Sequence, residues 1–132
     1  MQSPLLRILC TEDDADTREL ITFVLSRNQC EVVTAETPAM AIELARAGPF
    51  DLYLLDNWMP RMSGTELCGE LRRFDSQTPI LFYSGAAYPK DKADAYACGA
   101  QGYLVKPADH EELLAEVFRL VSESRTKQAT IQ

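Results

Sequence analysis

Four apolar runs of this 132-residue chain end in polar groups able to handle a charged ligand. Leu5 to Cys10 leads into Glu12-Asp13-Asp14, Leu52 to Leu55 ends in Asp56, Ile80 to Tyr83 ends in Ser84, and Gly102 to Val105 ends in Lys106. Singly, each has an ordinary explanation. Asp14 could cap the next helix, Ser84 beside Gly85 suits a turn, and Lys106 before Pro107 suits a solvated loop. The conjunction at matched ends points to chemistry instead. Crowded carboxylates repel one another and persist best with a cation among them. Hard oxygen ligands suit magnesium. A lysine offsets further negative charge and offers a point donor to an anion, and a hydroxyl adds another donor. Cation, ammonium and hydroxyl around a carboxylate are the parts that phosphoryl transfer requires. The carboxylate can itself be the nucleophile, giving an aspartyl phosphate.

The elements that must position these groups follow from the pattern. The first strand lies near Leu5 to Cys10, and an amphipathic helix runs from about Asp16 to Arg27 with Leu20, Ile21, Val24 and Leu25 on its inner face. Glu31 to Ala35 reads as a β-branched strand. Thr37-Pro38 opens a helix with Ala41, Ile42, Leu44 and Ala45 inward, and Gly48-Pro49 stops it. Leu52 to Leu55 is wholly apolar, as a strand covered on both faces would be. Ser63 with Glu66 forms a capping box for a third helix carrying Leu67, Leu71 and Phe74. After the strand Ile80 to Tyr83, a weak alanine-rich helix spans about Lys90 to Cys98, burying mainly Ala93, Tyr96 and Ala97, and Gly99 ends it. Gly102 to Val105 is the fifth strand, and Asp109 with Glu112 caps a last helix whose inner face is Leu113, Leu114, Val117, Phe118 and Val121. The polar tail, residues 125–132, is expected to fray. Strands alternating with helices predict an α/β fold, a parallel sheet with helices on both faces. Such sheets bind ligands outside the carboxyl ends of their strands.

Composition narrows the classes of function. With 13 Lys+Arg against 20 Asp+Glu the net charge is -7, which argues against nucleic-acid binding. No apolar run reaches the roughly 20 residues of a membrane span, and Met1 to Arg7 lacks the features of a secretory signal. Cys10, Cys30, Cys68 and Cys98 form no CxxC pair, so small buried apolar groups in a reduced, cytoplasmic protein are the expectation. No linker or repeat divides the chain, and residues 1–132 read as a single domain with its core at about 5–121.

Three segments carry a resemblance to a known family. They are Leu54-Leu55-Asp56-Asn57-Trp58-Met59-Pro60-Arg61-Met62-Ser63-Gly64, then Gly99-Ala100-Gln101-Gly102-Tyr103-Leu104-Val105-Lys106-Pro107, and Glu12-Asp13 followed five residues later by Arg18. In order and spacing they resemble the response regulator receiver domains of two-component signalling. The resemblance implies a doubly wound (βα)5 flavodoxin-like fold with strand order 2-1-3-4-5. It implies that Asp56 takes a phosphoryl group from a histidine kinase or histidine phosphotransfer protein. It further implies that Asp13, Asp56 and the backbone carbonyl of Trp58 ligate Mg2+, with Glu12 reaching the metal through water. Lys106 would pair with the carboxylate and then the phosphate, Ser84 would donate to a phosphoryl oxygen, and Tyr103 would be a switch aromatic. The Lys106-Pro107 bond should be cis, which would aim the lysine back at Asp56. Output is expected on the face of the fourth helix, fifth strand and fifth helix. Glu12 departs from the commoner Asp, Ser63 stands where many relatives have Asp, and Trp58 is unusually large for its position.

Other readings make different demands on the residues. A magnesium-dependent phosphatase with an aspartate nucleophile could use Asp14-Ala15-Asp16, but Arg18 stands where that motif wants Thr and Asp56 would be idle. A flavin-binding module needs a phosphate loop after strand one, and here that loop is acidic. An inert receiver-like scaffold is opposed by the complete set of phosphotransfer groups. A slowly hydrolysed aspartyl phosphate is also expected. Trp58 could screen the site and Ala86 has no group to hold a water, while Asp14 could orient one in their place.

Overall fold

The computed structural model describes residues 5–131. Residues 1–4, part of the segment read as lacking a secretory signal, and Gln132, the end of the expected tail, lie outside them. Along the chain come β1 (Leu6–Thr11), α1 (Ala15–Ser26), β2 (Cys30–Ala35), α2 (Pro38–Ala47), β3 (Leu52–Leu55), α3 (Gly64–Arg72), β4 (Ile80–Ser84), α4 (Pro89–Ala97), β5 (Gly102–Val105) and α5 (His110–Ile131). Every strand pairing is parallel and the order is β2-β1-β3-β4-β5, as the resemblance implies. The chain's direction along the sheet reverses beside β1, so the crevice falls at the carboxyl ends of β1 and β3.

Side chains alternate across the sheet because successive Cβ atoms of a strand point to opposite faces. Ile8, Cys10, Leu54 and Leu81 pack with Ile21 and Leu25 of α1 and Leu113, Val117 and Leu120 of α5. Leu9, Tyr53, Leu55 and Phe82 pack on the other face with Ala41 of α2, Leu67 and Leu71 of α3, and Ala95 of α4. The caps read from sequence hold three helices in place. Thr37 accepts the amide of Met40, Ser63 that of Glu66, and Asp109 that of Glu112.

Three helices depart from the expected faces. In α1, Ile21, Val24 and Leu25 are buried, but Leu20 is 46% exposed. At roughly 100° per residue, Leu20 lies a quarter turn off the centre of that buried trio. In α4, Ala93, Tyr96 and Ala97 face solvent and Ala95 alone is buried. An alanine-rich helix has too little apolar contrast for its inner side to be read from sequence. In α5, Leu120 fills the core place expected of Phe118, which is exposed. That helix also continues to Ile131 instead of fraying from Arg125. Arg125 Nη2 approaches Asp51 Oδ1 at 3.4 Å, and Ser124 Oγ donates to the carbonyl of Gln77 at 3.4 Å, so the sheet's lower loops support the polar turns. The Lys106-Pro107 bond is cis, as expected, and so is Gly48-Pro49, which the sequence marked only as a helix stop.

Candidate functional site

Parallel register delivers the polar groups to one edge. Thr11 pairs with Leu55, so Glu12 and Asp56 leave the sheet side by side. The amide of Asp56 donates to the carbonyl of Thr11 at 3.1 Å. Ser84 pairs with Val105, and the amide of Lys106 donates to the carbonyl of Ser84 at 2.8 Å. Carboxylate oxygens of Glu12, Asp13 and Asp56 lie within 4.8 Å of one another. Glu12 and Asp56 are buried while Asp13 is exposed, so the cluster opens to solvent on the Asp13 side.

Lys106 enters this cluster. Its Nζ stands 2.5 Å from Glu12 Oε1 and 3.8 Å from Asp56 Oδ2. The other Glu12 oxygen accepts the amide of Asp14 at 3.2 Å. Burial, with the charge of Asp56 beside it, pushes the Glu12 carboxyl above its ordinary range against the pull of Lys106. Burial alone would lower the Lys106 ammonium, but the bond to Glu12 and the nearby carboxylates outweigh it and hold the group above its usual value. Burial of a like-charged cluster is costly unless compensated, and one ammonium only partly compensates three carboxylates. The oxygen-only donor set with an open side fits a hard divalent cation such as magnesium.

Among the described residues no helix is long and apolar enough to cross a membrane. The chain matches the response regulator receiver domain family over residues 8–118. It belongs to that family. The cell cycle response regulator CtrA of Brucella ovis is 34% identical over 120 residues, covering 91% of this chain and 52% of that protein. The chain thus spans about half the length of the curated relatives it matches. A CheY-like receiver from Methanospirillum hungatei superposes with a TM-score of 0.89 at 25% identity, covering 93% of this chain and 98% of its own. The chemotaxis protein CheY4 of Vibrio cholerae gives 0.81 at 31% identity, covering 88% and 98%. As a receiver the chain is a signalling domain of the two-component type, a phosphoacceptor family rather than a family of catalytic enzymes.

The remaining expected residues lie in or just after β1, β3, β4 and β5. Ser84 is fully buried, and its Oγ accepts the amide of Ala86 at 3.2 Å. Tyr103 stacks on Phe82 with ring centroids 5.5 Å apart, and its hydroxyl donates to the carbonyl of Ala86 at 2.6 Å. Burial raises the Tyr103 phenol above its ordinary value. Trp58 is 62% exposed, and its amide donates to Asp56 Oδ1 at 3.3 Å. Asp14 caps α1, accepting the amide of Thr17 at 2.9 Å and its hydroxyl at 2.6 Å. The Thr17 hydroxyl, then its amide, hold the Asp14 carboxyl below the usual range.

Three residues of this receiver's site gain roles that sequence reasoning did not give them. Arg18 Nη1 donates to the carbonyls of Glu12 at 2.9 Å and Asp13 at 3.0 Å, fixing the backbone that carries the acids. Its spacing from them, just over one helical turn after the loop, was the only signal. Asn57 is buried, and its Oδ1 accepts the amide of Thr65 at 3.3 Å, closing the loop after the acceptor strand. Gly64 permits that closure, because a Cβ there would collide with the carbonyl of Asp56 and stand 2.8 Å from Asn57 Cα.

Proposed function

We propose that this receiver accepts a phosphoryl group on Asp56 from a histidine kinase or histidine phosphotransfer protein in the cytoplasm, and passes the change on through α4, β5 and α5. The observation that carries the reading is the placing of Asp56 at the end of β3 with two further carboxylates within 4.8 Å and an ammonium at 3.8 Å. No simpler task explains so much buried charge at one strand edge.

Asp13, Asp56 and the carbonyl of Trp58 would hold Mg2+, with Glu12 reaching it through water. The bound ion would supply charge shielding for the phosphoryl oxygens. Asp56 contributes the attacking oxygen. As its bond to phosphorus forms, the bond from phosphorus to the donor imidazole breaks, and the departing nitrogen keeps the electron pair. Lys106, now shared between Glu12 and Asp56, would turn to the new phosphoryl oxygens, and the Ser84 hydroxyl would donate to another. Arg18 keeps the acid-bearing backbone in place throughout, since its bonds are to carbonyls and not to the reacting groups.

The test is incubation of the purified chain with acetyl phosphate and magnesium, followed by intact mass. One phosphoryl group should be added to the wild type and none to Asp56→Asn or to wild type in excess chelator. Full labelling of either control would overturn the assignment. Failure of wild type to label from small donors and kinases alike would favour the scaffold reading.

A further inference from the structure

Trp58 is the sole tryptophan of the chain and one of its most exposed large apolar side chains. Its six-membered ring is nonetheless seated on Gly85. A Cβ at residue 85 would stand 3.3 Å from Cζ3 and 3.6 Å from Cε3 of that ring. The first distance is tighter than ordinary van der Waals contact, so the absence of a side chain at 85 and the breadth of the ring at 58 are matched. The contact joins two loops with different duties. On one side, the amide of Trp58 is bonded to Asp56 Oδ1. On the other, Gly85 lies between Ser84, which carries the buried hydroxyl, and Ala86, whose amide is bonded to that hydroxyl and whose carbonyl holds Tyr103.

We propose that Trp58 is a positioning residue for Ser84: its ring, resting on Gly85, holds the Ser84–Ala86 segment in place and sets how far that segment closes on a group carried by Asp56. Dispersion contact with an aromatic ring steadies a glycine that has no side chain of its own to pack. The segment cannot approach Asp56 without sliding against the ring, because residue 58 is anchored to the same carboxylate. Trp58 therefore acts through Gly85 on the Ser84 hydroxyl, and a smaller side chain at 58 would leave that hydroxyl looser.

The experiment is a double-mutant cycle on the whole chain with Trp58→Ala, Gly85→Ala and the pair, with Trp58→Phe as a milder variant should Gly85→Ala fold poorly. Two readouts need no phosphoryl group. Gly85→Ala should displace the ring and shift the tryptophan emission, and Trp58→Ala should speed amide exchange at Ala86 with little change in the urea midpoint. Trp58→Phe should fall between. The third readout, the labelling rate with acetyl phosphate and magnesium, rests on the reading of Asp56 as acceptor. There Gly85→Ala should slow labelling about fivefold with the ring present and have no further effect with it absent, the non-additivity expected of side chains in contact. Unshifted emission in Gly85→Ala, unchanged exchange at Ala86 in Trp58→Ala and Trp58→Phe, or additive effects on labelling would each overturn the proposal. If the wild type takes no label, the acceptor reading fails, while emission and exchange still decide the contact.

Discussion

Lys106 rests nearer to Glu12 than to Asp56, 2.5 Å against 3.8 Å, so the longer acid at position 12 competes for the lysine before any phosphoryl group arrives. Asp14 meets the site through its backbone, its amide donating to Glu12 at 3.2 Å. The hydroxyl and the amide of Thr17 both bind one of its carboxylate oxygens, Oδ2, which commits that oxygen to capping α1. With Trp58 seated on Gly85 and Ala86 buried and apolar, neither side chain offers an oxygen with which to orient a water beside Asp56. On the proposed function the aspartyl phosphate should therefore decay slowly, and Trp58→Asn, whose amide can position a water by hydrogen bonding, should hasten the loss of labelled phosphate by about tenfold. Equal decay of variant and wild type would remove the screening role. A second set of residues bears on stability alone. Asp75 accepts the hydroxyls of Tyr53 and Thr78, each at 2.6 Å, and the amides of Gln77 at 2.9 Å and Thr78 at 3.0 Å. Burial works to raise its carboxyl, but these bonds prevail and hold it below the ordinary value. A carboxyl whose folded value is depressed adds stability that is present above the unfolded value and is lost as pH falls through the folded one. Urea unfolding should show wild type above Asp75→Asn at pH 7, with the gap closing in acid. Asp75→Ala should cost about 1–3 kcal/mol at neutral pH, because it takes the carboxylate partner from the buried Tyr53 hydroxyl. A gap between wild type and Asp75→Asn that persists unchanged in acid would contradict the assignment.

Helix faces divide the chain into what the sequence displays and what it does not. The strand ends were legible because a short apolar run followed by an acid, Ser or Lys leaves little choice of where the sheet stops, and the register then brings those ends together. The caps Thr37, Ser63 and Asp109 were legible because capping is a local matter of a few residues. Leu20 was not, since its apolar character is the same inside or out, and only the packing of α5 and the sheet against α1 decides its exposure. Nor could sequence show which carboxylate Lys106 prefers, because that depends on distances between strands far apart in the chain. The division has a measurable consequence. Leu25→Ala, fully buried in α1, should cost about 2–5 kcal/mol, whereas Leu20→Ala should change stability by no more than about 0.5 kcal/mol, as exposed sites do. Equal costs in urea unfolding would place Leu20 in the core after all. α4 differs in kind: with Ala95 its one buried residue, it has little apolar area to hold it to the sheet. Its amides should be the first of the five helices to exchange in the unliganded protein, and later exchange than in α1 would refute that ranking.

The arrangement of the whole molecule sets the route by which the site could be felt elsewhere. Ser84, Gly85 and Ala86 leave the sheet between the acidic cluster and α4, and Tyr103 reaches across from β5 to hold Ala86 by its carbonyl. The far end of α4 is tied down separately, by Arg72 of α3 bonding the carbonyl of Gly99 at 2.9 and 3.1 Å. α4 thus lies between the Ser84–Ala86 segment and a turn held by Arg72, with a single alanine buried against the core. A ligand shifts such an equilibrium only by as much as it favours one state over the other. Under the proposed function the favourable bond would be one from Ser84 to a phosphoryl oxygen, and the bond at risk is that between Tyr103 and Ala86. Drawing Ser84 toward Asp56 should weaken the latter, leaving the Tyr103 ring stacked on Phe82 without its polar anchor and α4 free to move. With magnesium and beryllofluoride, a phosphoryl mimic, amide exchange should therefore change most between Ser84 and Lys106. Ser84→Ala should abolish most of that change while the mimic still binds, because the pull is then lost but the charge is not. Changes confined to α1 and α2 would mean that the signal leaves the site by another path, and an undiminished response in Ser84→Ala would mean that the hydroxyl does not carry it.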